Sequence, residues 1–159
     1  MLANDPALEQ IVFGESGILQ ALAPGAIHLS MSTISVVLAE RLAAAHREKG
    51  QEFVSAPVFG RPDLAATGKL FVIAAGKPAT IAVCKPLLDV LSQRTFEISD
   101  QAPKANLVKL SGNFLIASVI EALGEAIALV SKAGIGRATM SISSPRRCSA
   151  RRSTRPTVG

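Results

Sequence analysis

Two polar residues one helical turn apart, Lys109 and Asn113, are the pair in this chain best suited to chemistry. An ammonium and a carboxamide on one helix face can hold a single small polar ligand. A lysine in a partly apolar cleft has its pKa lowered and can exchange a proton with a substrate hydroxyl, which Asn113 could orient. By spacing alone a structural reading is favoured: a lysine snorkelling from the helix and a locally satisfied asparagine. Ser30, Met31, Ser32 and Thr33 form a second candidate. Hydroxyls between a strand end and a helix start suit a ligand, because open α/β sheets bind ligands at the carboxyl ends of strands. Simple helix capping by Ser32 or Thr33 explains the same residues. The third candidate is the loop Ala56-Pro57-Val58-Phe59-Gly60-Arg61-Pro62, followed by Gly68 and Lys69. Gly60 permits close backbone approach and Arg61 could pair with a carboxylate; an ordinary surface loop reads the same way.

The elements that must position these groups follow from the apolar pattern. Leu107, Leu110, Phe114, Ala117, Ile120, Leu123, Ile127 and Val130 recur at helical spacing, which predicts one long helix over 104–133. Gly112 and several alanines and serines leave room for close neighbours. Lys109, Asn113, Glu121, Glu125 and Lys132 interrupt the helix, so it reads as a buried helix of a soluble protein rather than a membrane span. Before it, residues 1–3 read as the end of a strand. Asp5-Pro6 reads as a cap for a helix through Leu8 and Val12, residues 26–32 as a strand, and residues 34–49 as a helix ending at Gly50. Residues 51–56 read as a strand and 57–68 as a loop. Residues 70–75 read as a strand buried on both faces, and a helix from Pro78 is expected to kink or restart at Pro86. Residues 94–99 complete the strands. This alternation predicts a largely parallel α/β sheet.

Hydrophobic residues make up 48% of the chain and aromatic ones only 4%, so the core must be aliphatic. The net charge of +5 is uneven. Six of the 17 basic residues are arginines in 136–159, which hold no acid, leaving 11 basic against 12 acidic residues in 1–135. That Arg/Ser tail has no hydrophobic periodicity and is expected to be disordered; a nucleic-acid partner would rest on the tail alone. The two cysteines lack metal-ligand spacing, Cys84 reads as a buried thiol, and no metal is expected. His28 and His46 have no evident partner and read as a strand residue and a solvated helix residue. No Gly-x-Ser-x-Gly elbow is present, which excludes one hydrolase pattern. No secretory signal is visible and a reducing cytoplasm is expected.

In this order, Met1-Leu2, Ser32-Thr33-Ile34, Ala56-Pro57-Val58 with Gly60, Gly68-Lys69-Leu70 and Lys109-x-x-x-Asn113 resemble the β-hydroxyacid dehydrogenase family over residues 1–135. The resemblance reverses the structural reading of Lys109. It implies the later part of a Rossmann-like parallel-sheet domain over 1–102, a long interdomain helix over 103–135 opening a helical domain, and the tail 136–159. It implies an NAD(P)-dependent oxidoreductase acting on a small hydroxyacid or oxo acid, with NAD or NADP as cofactor, cytoplasmic, and homo-oligomeric when complete. Lys109 would be the catalytic acid/base and Asn113 its partner. Leu2, Ser32 and Thr33 would lie at the cofactor, and Phe59, Gly60 and Arg61 at the substrate. Three features depart from the family pattern. Phe59-Gly60-Arg61 stands where Ser-Gly-Gly is usual. No Gly-x-Gly-x-x-Gly loop, which binds pyrophosphate at a helix N-terminus, occurs in the sequence. The tail replaces a helical domain. These departures imply a truncated chain, inactive alone; the alternative is a non-catalytic binding or oligomerisation module.

Overall fold

The computed structural model describes residues 1–135, so the tail 136–159 lies outside the described residues. The described residues divide between two units, one of Met1–Asn113 and one that begins at Phe114. In the first, the elements run α1 (Asp5–Phe13), α2 (Ile18–Ala21), β1 (Ile27–Ser30), α3 (Val36–Glu48), β2 (Glu52–Ser55), β3 (Val58–Phe59), α4 (Pro62–Ala66), β4 (Leu70–Ala75), α5 (Pro78–Leu91) and β5 (Ser92–Ser99). The last helix, α6 (Pro103–Lys132), begins in the first unit and continues into the second.

The sheet alternates its side chains between two cores, as strand geometry requires. On one face Val54, Val72 and Ala74 meet Ile81, Cys84 and Leu88 of α5. On the other, Ile73 and Ala75 meet Ala105 of α6, while Phe53 packs with Leu38, Ala39 and Leu42 of α3 and with α1. Strand β4 is thus covered on both faces, as its unbroken apolar run predicts. Burial holds Cys84 inside and pushes its thiol pKa up.

Strand pairing is parallel for β1 with β2 and for β4 with β5. It turns antiparallel where β2 meets β4 at Ser55 and Ala75, and where β3 meets β4 at Val58 and Val72. The sheet is therefore mixed, with its long ladders parallel. The predicted loop 57–68 contains β3 and α4 instead. Gly60 separates them at φ +140°, and a Cβ there would sit 2.6 Å from Leu70 Cδ2. Only glycine meets both demands.

Several other expectations are corrected. Residues 1–3 form no strand. Asn4, not Asp5, caps α1 by accepting from the Ala7 N–H, which frees the Asp5 carboxylate to accept from Ser35 N–H at 3.0 Å. Ser35, not Ser32 or Thr33, caps α3 through Leu38 N–H at 3.1 Å. Helix α5 runs continuously through Pro86, because a proline removes one backbone donor while Ile81, Cys84 and Leu88 stay anchored on the sheet.

His46 is not solvated. It is fully buried and its Nε2 lies 2.8 Å from His28 Nδ1, while its Nδ1 lies 2.7 Å from Gln51 Oε1. The Gln51 amide donates to the carbonyls of Leu19 and Leu22. Since that carboxamide oxygen can only accept, the chain has one direction: His28 donates to His46, and His46 to Gln51. His46 also stacks on Phe53, with ring centroids 5.6 Å apart.

Helix α6 is not buried along its apolar stripe. Its buried residues are Ala105, Asn106 and Lys109, whereas Leu107, Phe114, Ile120 and Leu123 are each more than half exposed. The stripe shows only that a face needs covering, and among the described residues nothing covers it. By length and composition alone α6 could also cross a membrane, a test that many core helices pass.

Candidate functional site

The site forms where the start of α6 crosses the carboxyl ends of β1 and β2. Lys109 is 8% exposed, and its Nζ lies 3.7 Å from the centroid of the Phe59 ring. That is a cation–π contact with one side of the amine shielded. Among the described residues the amine has no carboxylate within ion-pairing range, unlike Lys77 with Glu52 and Lys85 with Asp89. Burial lowers the Lys109 pKa from its ordinary value, since desolvation penalises the ammonium. The chain thus holds a lysine that sheds its proton more readily than an exposed one.

The ring fits because of Gly112. A Cβ at that position would stand 2.5 Å from Phe59 Cζ. The small residue that the sequence reading associates with close backbone approach instead admits an aromatic ring. Gly112→Ala is expected to gain about 1 kcal/mol of helix propensity while pushing the ring off Lys109. Thermal unfolding should therefore change little, while the Lys109 titration moves up toward that of an exposed lysine. An unchanged titration would show that the ring does not shield the amine.

Asn106, one turn before Lys109, is the residue that sequence reasoning missed. It is fully buried; its Oδ1 accepts from Ile34 N–H at 3.1 Å and its Nδ2 donates to Ser55 Oγ at 2.6 Å. One carboxamide therefore ties α6 to the turn after β1 and to the end of β2. Its spacing to Lys109, on the same face as Ala102 and Ala105, was the available signal.

The Ser32–Thr33 turn lies at the other end of this tie. Ser32 is buried and its hydroxyl accepts from Leu2 N–H at 2.7 Å, so Leu2, Ser32 and Thr33 are brought together. Ser30, at the end of β1, carries the one buried side-chain polar atom without a partner among the described residues. Asn113 is exposed, one turn beyond Lys109. Gly60 adjoins Phe59, but Arg61 points outward, its side chain 86% exposed and 3.7 Å from Asp63. The structure brings together Lys109, Phe59, Asn106, Ser55 and the Ser32–Thr33 turn. It leaves Arg61 apart. Among the described residues no cluster of three or more His, Cys, Asp or Glu could hold a metal ion.

Known proteins resemble this chain in sequence and fold. Residues 1–99 match the family described as the NAD binding domain of 6-phosphogluconate dehydrogenase. An uncharacterized oxidoreductase of Bacillus subtilis, YfjR, is 50% identical over 135 residues, covering 85% of this chain and 47% of that protein. Glyoxylate/succinic semialdehyde reductase 1 of Arabidopsis thaliana is 31% identical over 140 residues, covering 88% of this chain and 48% of that protein. The crystal structure of a 3-hydroxyisobutyrate dehydrogenase from Salmonella typhimurium superposes with a TM-score of 0.75 at 32% identity, covering 87% of this chain and 48% of that one. The chain spans about half the length of the curated relatives it matches.

Proposed function

From the premise that this chain belongs to the family of NAD-binding domains of 6-phosphogluconate dehydrogenase, we propose that it supplies the proton-transfer residues of an NAD(P)-dependent oxidoreductase. The substrate is a small hydroxyacid or its oxo partner. One observation carries the reading: a buried amine without an acidic partner is held beside the carboxyl ends of two parallel strands.

Bound NAD(P) supplies or accepts the hydride. Lys109 gives its proton to the carbonyl oxygen during reduction and takes it back from the hydroxyl during oxidation. A lowered pKa suits both directions, because protonated and neutral amine then coexist nearer neutral pH. Asn113 orients the same oxygen. The Ser32–Thr33 turn and Leu2 take the nicotinamide end of the cofactor, a role that the unpartnered Ser30 hydroxyl beside them fits. The residues present include no glycine loop for the pyrophosphate. Phe59 and Gly60 border the substrate, and Arg61 reaches a substrate carboxylate only by leaving Asp63. The helix over 103–135 leads into a helical domain, and the working protein is a cytoplasmic homo-oligomer with a small-molecule partner.

A chimaera tests this, with residues 1–135 replacing the matching segment of the Bacillus subtilis relative. Oxidation of NADPH or NADH that depends on glyoxylate or succinic semialdehyde, and that Lys109→Met abolishes, supports the proposal. A chimaera that turns over equally well with Lys109→Met overturns it. A second reading, a non-catalytic binding or oligomerisation module, draws on the exposed apolar stripe of α6. It predicts self-association without cofactor-dependent turnover.

A further inference from the structure

We propose that Asn106 is the positioning residue of this site: its uncharged carboxamide registers Lys109 against the Ser32–Thr33 turn and the Phe59 strand, and its neutrality leaves the lysine amine without an ion-pair partner. The inference rests on the reading of Lys109 as the proton-transfer group, but its test does not need turnover.

Both halves of the carboxamide are used. The Ile34 N–H needs an acceptor and the Asn106 oxygen provides one; Ser55 Oγ takes the amide N–H. Hydrogen-bond geometry alone does not demand asparagine. An aspartate of the same shape could accept from Ile34 N–H with one oxygen and from the Ser55 hydroxyl with the other, because a hydroxyl can reverse its role. The difference is charge. A carboxylate one helical turn from Lys109 would hold the amine as ammonium.

The surroundings are otherwise free of charge. Residues 30–36, the segment 55–59 and strand β4 carry no ionisable side chain. The Asp5 carboxylate faces Ser35 N–H. Arg61 and Asp63 are exposed and face each other, and Lys104 on the same helix is exposed. Position 106 is therefore where a single atom substitution would add a buried anion beside the amine.

The test is the reactivity of Lys109 toward an acylating reagent, followed across pH by peptide mass mapping in the 159-residue chain, with Lys104 as the internal reference. Asn106→Asp should remain folded by circular dichroism. Its Lys109 should acylate about tenfold more slowly near neutral pH, with the reactivity midpoint moved to higher pH; tenfold corresponds to one pKa unit. Ser55→Ala removes one tie without adding charge. It should shift the Lys109 midpoint in the same direction by a smaller amount, as a looser helix start admits water. If Asn106→Asp folds and leaves Lys109 at the wild-type rate, the proposal is overturned. If Asn106→Asp does not fold, Ser55→Ala decides: a shifted midpoint supports the proposal and an unchanged one overturns it. A chimaera without turnover would count against the oxidoreductase reading while leaving this reactivity result standing.

Discussion

Lys109→Met in a catalytically competent form, such as the chimaera above, is expected to lower kcat/KM by about 10²–10⁴-fold, the usual contribution of a positioned acid or base. The loss should fall on kcat, because methionine keeps an unbranched apolar side chain beside Phe59 and removes only the amine over its ring. The same substitution is expected to stabilise the fold. Lys109 is buried without an acidic partner and its pKa is lowered, so the unfolded chain binds the proton more tightly than the folded one. Stability is then reduced while pH lies below the folded pKa, and recovers as pH rises toward the ordinary lysine value of 10.5. Removing the amine removes that cost. A higher melting temperature at pH 7 together with lost turnover is the signature of a residue kept for chemistry. Lost turnover with a lower melting temperature would instead mark Lys109 as a packing residue, and the catalytic assignment would fail.

The second large effect is acid sensitivity. Burial, then the charge on His46 and then that on the N-terminus, lower the His28 pKa from 6.5 to about 4. Burial lowers that of His46 too, against the opposing effect of the hydrogen bond it donates to Gln51. Geometry gives the same sign, because a proton added to His46 Nε2 would face the N–H of His28. Across this window the unfolded chain binds more protons than the folded one. Stability is therefore complete above about pH 6.5 and falls as pH drops through about 4, by about 3 kcal/mol for His28 alone. Urea unfolding at several pH values should show this slope. His28→Gln, which keeps a donor for His46 without titrating, should flatten it. A wild-type midpoint constant down to pH 4 would mean that the pair is not held neutral.

These two effects differ in how far the sequence foretold them. Lys109 could be singled out as a candidate only because its spacing to Asn113 and its place after Ser32-Thr33 resemble a family; spacing alone favoured a structural lysine. The histidine pair was not. His28 and His46 are 18 residues apart on a strand and a helix, and nothing local tells a solvated histidine from one sealed by Gln51 and Phe53.

The sequence by itself determined the alternation of strands and helices, the doubly covered β4, the buried Cys84, the extent of α6 and the lysine on it. Each is written in local periodicity, which depends only on residues within a few turns. Tertiary structure alone decided what local pattern cannot carry. It set Asn4 and Ser35 as caps in place of Asp5 and Ser32, because Asp5 and Ser32 bond to distant backbone. It made residues 58–59 a strand, because β4 offered them an edge. It left the α6 stripe exposed and buried Ala105, Asn106 and Lys109 instead. Above all it placed Asn106, whose partners Ile34 and Ser55 lie 72 and 51 residues away. Burial of a polar side chain is favourable only when such partners arrive, and their arrival is a property of the fold.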